Sequence, residues 1–232
     1  MCRMLGLKNF EYRRHKEILE NFFQLAQTGK VPPGNAPGHC DGWGIGYYKN
    51  GEAVVHKSGG SIVEEKEDFF ETCQRIADSK ILLVHLRKSA WPWTSTADHA
   101  HPFSHKGILF AHNGTIRDYK TLLKEIPGRD QPRPGALDSE VYFHYVMNFA
   151  SLGLEKAFKK AVRPIKKYNT YSSLTSLFSD GQLLYGYREY SKNPGYYSLY
   201  HAAFGGASVI ASQPVSPHLP WKMLSKGKLF IV

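Results

Sequence analysis

A cysteine at position 2 puts a thiol one residue from the initiator methionine. A small side chain there permits loss of Met1, and Cys2 would then carry a thiol and a free α-amine on one residue. An α-amino group titrates at about 7.7–8.0, far below a lysine, so its neutral fraction near neutrality can take the thiol proton directly or through water. A nucleophile and base joined in this way need no separate catalytic histidine. Position alone proves little, because a cysteine near the start of a buried strand is more often a small hydrophobe.

Other residues extend that chemistry. His112-Asn113-Gly114 follows the apolar run ILFA and offers an Asn side-chain amide beside a Gly backbone N–H, the two donors an amide-cleaving thiol needs for its oxyanion. Taken alone, Asn-Gly is a turn. Arg87 ends the run ILLVHL, and Asp138 stands at a loop-to-helix junction. Together they have the chemistry to hold the α-carboxylate and α-ammonium of an amino acid. Singly, Arg87 reads as a surface ion pair and Asp138 as a helix N-cap. The rival is a metal site, since His39, Cys40 and Asp41 adjoin and His99, His101, His105 and His112 cluster. No HExxH or paired CxxC pattern supports it, so neither a metal nor another cofactor is expected.

The elements that would position these groups can be read in order. MCRMLGL has the pattern of a buried first strand, followed by a helix through about Ala26 and a Gly/Pro-rich loop from Thr28 to His39. Asn50-Gly51 predicts a type I′ hairpin within residues 42–59. Phe69, Phe70, Cys73 and Ile76 recur at helical spacing over Glu65 to Ala77, which makes Cys73 core. Residues 81–86 and 107–116 are inner-strand candidates, joined by a loop rich in polar and aromatic residues, among which Trp91 and Trp93 are placed at a pocket entrance. A loop over Pro127 to Gly135 leads to a helix that Asp138 or Ser139 can cap. A Lys-rich helix, Leu154 to Lys167, precedes two strands around an Asp180-Gly181 turn, then SVIASQP and KLFIV. With no repeat, low-complexity tract or convincing linker, one domain over 1–232 is expected.

Composition bounds the reading. The chain has 232 residues, 42% hydrophobic and 22% charged, which is a globular composition with ample core. It has no apolar run of membrane-spanning length and no secretory leader, so a cytoplasmic protein without a membrane partner is expected. Three widely spaced cysteines argue against a disulfide framework. The net charge of +10 is dispersed over segments such as KEILE, EEKED and LEKAFKKAVRPIKK, which read as solvated helix faces rather than a nucleic-acid surface.

MCRMLG, DGWGIGYY, HLR, HPF, HNG and DSE occur in an order and approximate spacing that resemble class II glutamine amidotransferase domains. The chain is most similar to the small stand-alone YafJ-like members and the γ-glutamyl hydrolases of thiol metabolism, and SLFSDGQLLYGYR and IASQPV extend the likeness towards the C-terminus. The resemblance implies an α+β fold, the four-layer αββα N-terminal-nucleophile hydrolase sandwich of two mainly antiparallel sheets flanked by helices. It implies Cys2 as nucleophile, its α-amine as base, and Asn113 with the Gly114 N–H as oxyanion hole. Arg87 would clamp the substrate carboxylate and Asp138 the ammonium. His85 and His101 would hold loops by hydrogen bonds, and Asp41, Gly42 and Trp43 would shape the loop beside the nucleophile. Many members follow this Arg with a small residue and then Thr. Here Lys88-Ser89-Ala90 follows, so the displaced Ser89 hydroxyl is expected to face away from the ligand.

The implied reaction is hydrolysis of the side-chain amide of glutamine or a γ-glutamyl compound. Water is the expected acyl acceptor, since complete amidotransferases pass ammonia to a synthase domain and this sequence stops after the amidase core. The alternatives are a glutaminase subunit that delivers ammonia to a separate synthase, and a non-catalytic interaction module. A second copy of the chain is a further candidate partner.

Overall fold

A computed structural model describes residues 2–91 and 93–232, so the expected loss of Met1 lies outside the described residues. Two antiparallel sheets face one another. The first contains β1 (Arg3–Glu11), β2 (Trp43–Lys49), β3 (Glu52–Ser58), β4 (Asp78–Leu86), β9 (Tyr200–Phe204), β10 (Ala207–Ala211) and β11 (Lys222–Met223), in the order β11-β9-β10-β1-β4-β2-β3. The second contains β5 (Phe103–His105), β6 (Ile108–Asn113), β7 (Thr175–Ser179), β8 (Leu184–Tyr187) and β12 (Leu229–Ile231), in the order β12-β8-β7-β6-β5.

Strand alternation divides the apolar residues among three cores. Leu5, Leu7, Leu82, Val84 and Leu86 face away from the second sheet and pack with Ile18, Leu19, Phe22 and Phe69 from α1 (Tyr12–Thr28) and α2 (Lys66–Ile76). Met4, Ile81 and Leu83 face inward and meet Leu109, Ala111, Leu177 and Leu184. On the far side, Phe110 and Phe178 pack against Leu122 of α3 (Lys120–Glu125), Phe143 and Val146 of α4 (Asp138–Met147), and Phe158 and Ile165 of α5 (Leu154–Tyr168). The layers therefore run helix, sheet, sheet, helix, the αββα arrangement expected. A strand covered on both faces must be apolar at nearly every position, which is why β1, β4 and β6 read as continuous hydrophobic runs.

Asn50 and Gly51 both have positive φ, 53° and 85°, as a type I′ turn requires. β1 runs four residues past the expected MCRMLGL, because Asn9 enters the left-handed region at φ 59° and the pairing passes over it, from Lys8↔Ile81 to Phe10↔Ser79. β5 and β9 are short strands that the sequence reading lacked. Among the described residues no helix is long and apolar enough to cross a membrane.

Candidate active site

Cys2 lies immediately before β1, and alternation puts its side chain with Met4 on the inward face. β4 pairs with β1 so that Met4 is opposite His85, which brings His85 to the same face. Cys2 is only 7% exposed, and its Sγ is 3.7 Å from the Lys88 carbonyl oxygen. Burial pushes the thiol up, but the positive field of His85, and after it that of the chain's N-terminal charge, outweigh burial and hold the thiol at about 5. Cys73, buried against apolar neighbours without such a partner, is pushed up to about 12 and is core, as expected.

The second sheet supplies the amide donors. The Cys2 nitrogen donates to Asn113 Oδ1 at 3.0 Å, across 111 residues of sequence. Asn113 Nδ2 is buried with no hydrogen-bond partner among the described residues. At Gly114 a Cβ would run into the Ser173 carbonyl oxygen and approach His112 Nε2 to 2.6 Å, so only glycine fits. His112 faces the helices and also lines the cavity that holds Cys2. Its Nε2 meets the Ser173 oxygen and its Nδ1 the Ser139 hydroxyl, both at 2.9 Å, and burial lowers it to about 4, so it is a neutral strut fixing the end of β6.

Arg87 is nearly buried. Its Nη1 donates to the Asp41 carbonyl at 3.2 Å, and its Nη2 donates to Ser89 Oγ at 3.0 Å and Thr94 Oγ1 at 2.9 Å. Ser89 thus faces Arg87, contrary to expectation, because its N–H is tied to Asp41 Oδ2 at 2.8 Å and the turn swings its hydroxyl inward. Thr94, absent from the sequence reading, supplies a second hydroxyl; its place could not be read without the path of residues 88–94. A guanidinium has five N–H groups, so these bonds leave capacity for a carboxylate.

Asp138 is the first residue of α4, one position after the N-cap Leu137. The cap reading fails because the carboxylate turns towards the pocket, accepting from Ile116 N at 2.9 Å and Trp91 Nε1 at 3.2 Å. Burial raises it to about 6 despite those bonds, and the Cys2 charge adds to the rise. His101 Nδ1 meets His85 Nε2 at 2.7 Å, and burial followed by the field of His85 pushes His101 well below the usual histidine range.

Cys2, Arg87, Ser89, Trp91, His101, Gly114 and Asp138 line one cavity of about 40 Å³. At about 10–15 Å³ per water, it admits a few waters and no amino acid. Asp41 and Gly42 brace Arg87 from outside the cavity, Gly42 through its carbonyl, which accepts from Arg87 N at 2.8 Å. Trp43 does not reach the site at all: strand parity turns it to the helix side, where it is fully buried against Phe69 and donates to Glu65 Oε2 at 2.6 Å. Trp91 lines the cavity, whereas Trp93 is 98% exposed. The clustered His39, Cys40, Asp41 and loop histidines do not converge as one donor set. Among the described residues, the convergent set is Cys2, His85 and His101.

The chain is 30% identical over 200 residues to an uncharacterized protein of Methanocaldococcus jannaschii, covering 82% of this chain and 51% of that one, so it spans about half of that relative. Its fold matches a glutamine aminotransferase class-II domain protein from Silicibacter pomeroyi with TM-score 0.67 at 17% identity, over 99% of this chain and 94% of that one. It also matches the glutamine phosphoribosylpyrophosphate amidotransferase from B. subtilis with TM-score 0.70 at 16% identity, over 99% of this chain and 47% of that one. The family model described as glutamine amidotransferases class-II matches residues 1–208, and the chain belongs to that family.

Proposed function

We propose that residues 1–232 act as one domain that hydrolyses the side-chain amide of glutamine or a γ-glutamyl compound through a thioester on Cys2. The observation that carries this reading is Asn113, whose Oδ1 accepts from the Cys2 nitrogen while its Nδ2 is buried without a partner. A buried amide N–H left unsatisfied is costly, and a developing oxyanion would satisfy it.

In a chain that has lost Met1, the thiol proton resides on the α-amine and the thiolate attacks the amide carbon. The oxyanion takes hydrogen bonds from Asn113 Nδ2 and Gly114 N–H. Its collapse breaks the C–N bond, and the α-ammonium returns the proton to the leaving nitrogen, releasing ammonia or an amine. Water then attacks the γ-glutamyl thioester, giving its proton to the α-amine, and the thiolate leaves. Arg87 binds the α-carboxylate. Asp138 binds the α-ammonium once Trp91 gives up its bond to that carboxylate.

The test is intact mass spectrometry before and after exposure to a glutamine-analogue electrophile. Loss of Met1 and a single adduct on Cys2, absent from Cys2→Ser, are expected, together with glutamate release from glutamine or a γ-glutamyl amide. Processed protein that is neither labelled nor active on such a panel rules the reading out and favours the interaction module. Release of ammonia only when a synthase is added favours the ammonia-delivering subunit; that reading draws support from the match to half of a longer relative.

A further inference from the structure

The reaction just described gives His85 and His101 no step, yet they stand against the nucleophile. One donor atom from each of Cys2, His85 and His101 falls within 4.8 Å of the others, and all three residues are buried. The two imidazoles cross at 80° with centroids 4.2 Å apart. Independently, His85 Nδ1 is buried with no hydrogen-bond partner among the described residues. A thiolate and two imidazoles form a borderline-soft donor set that suits zinc and leaves a fourth position open.

We infer that Cys2, His85 and His101 form a site for a zinc-type divalent cation that silences the nucleophile rather than assisting it. A tetrahedral ion with bonds of about 2.0–2.1 Å to nitrogen needs the two nitrogens roughly 3.3 Å apart. If the ion replaces the hydrogen bond of 2.7 Å, the rings must part by about 0.6 Å. Binding displaces the thiol proton to solvent and puts the sulfur lone pair into a metal bond, so it can no longer attack an amide. In a chain without Met1, the Cys2 α-amine reaches the same ion in a five-membered chelate with Sγ. The ion then takes up both nucleophile and base, and the Cys2 nitrogen leaves Asn113. The silencing rests on the proposed hydrolysis; the binding does not.

The test is a titration of metal-free, Met1-processed protein with Co²⁺, whose bond to a thiolate gives a near-ultraviolet charge-transfer band. One Co²⁺ per chain is expected, displaced by Zn²⁺, with the band lost in Cys2→Ser, retained in Cys40→Ser, and on the order of a hundredfold weaker in affinity in His101→Ala. On the unaltered protein, Zn²⁺ should protect Cys2 from iodoacetamide, and a chelator should restore the reaction. A missing band, a band retained in Cys2→Ser, or alkylation unslowed by Zn²⁺ overturns the site. A protein that cleaves no amide but shows the Cys2-dependent band upholds the site and defeats the proposed hydrolysis. Amide cleavage at full rate in excess Zn²⁺ defeats the silencing alone.

Discussion

In the proposed reaction Asn113 combines two tasks in one side chain, because its carbonyl end accepts from the Cys2 nitrogen and its unpartnered amide end is left for the oxyanion. Asn113→Asp keeps the acceptor and removes the donor. Its kcat should fall by about 10²–10³, the usual worth of an oxyanion-hole donor, with KM little changed. An unchanged kcat would remove Asn113 from the mechanism. The two perturbed acids make a separate pH prediction. Cys2 is held at about 5, so its reaction with iodoacetamide should rise with pH to a plateau with a midpoint near 5. Asp138 is raised to about 6 by burial, so as pH falls through 6 it becomes neutral and loses its hold on a substrate ammonium. The acid limb of kcat/KM for glutamine should therefore have its midpoint about one unit above that of alkylation. Coincident midpoints would show that Asp138 does not bind the ammonium. The type of Asp138 was legible in the sequence, but its direction was not: a carboxylate at a helix start can bond back to its own helix or outward, and Trp91 and Ile116 decide the matter from distant segments.

At the scale of elements, the second strand is built for close approach. The segment through His101 and Pro102 lies flush on its inner face, where a Cβ on Gly46 would come within 2.6 Å of Pro102 Cγ and one on Gly44 would meet the His101 carbonyl. Gly46→Ala should cost about 1–3 kcal/mol in denaturant unfolding, because ring and backbone must shift to make room. No loss would mean that this contact yields freely. Trp91 is the opposite case, since in the proposed reaction its indole bond to Asp138 opens before the substrate ammonium binds. Trp91→Phe retains a ring but frees the carboxylate, and KM for glutamine should fall roughly tenfold, the order of one hydrogen bond to a charged group. A rise in KM would instead make the indole part of the bound complex. Turns were readable because Asn50-Gly51 and Asp180-Gly181 announce themselves chemically. Trp43 was misplaced for a parity reason: a strand sends alternate residues to opposite faces, and DGWG does not reveal which face is inward.

For the molecule as a whole, the inner strands were legible because buried strands leave continuous apolar runs, whereas the four layers followed from the resemblance of six motifs to a known family. The cavity's small size was not, because it depends on how loops from several segments settle together. Loss of Met1 matters at this scale too. Protein verified to retain Met1 has its Cys2 nitrogen in a peptide bond and should release no glutamate, whereas processed protein should; turnover by the unprocessed form would rule out the α-amine as base. The bond from the Cys2 nitrogen to Asn113 has a wider consequence, since one partner leads into β1 of the first sheet and the other ends β6 of the second. The reacting groups are held apart by the thickness of apolar filling between the sheets, supplied by Met4, Leu83, Leu109 and Leu177. In the proposed reaction, turnover is thus a gauge of interlayer spacing. A volume-changing substitution remote from the thiol, such as Leu109→Val, should detune kcat while the chain stays folded, and a series of such changes would calibrate reaction rate as a ruler for the gap between two sheets.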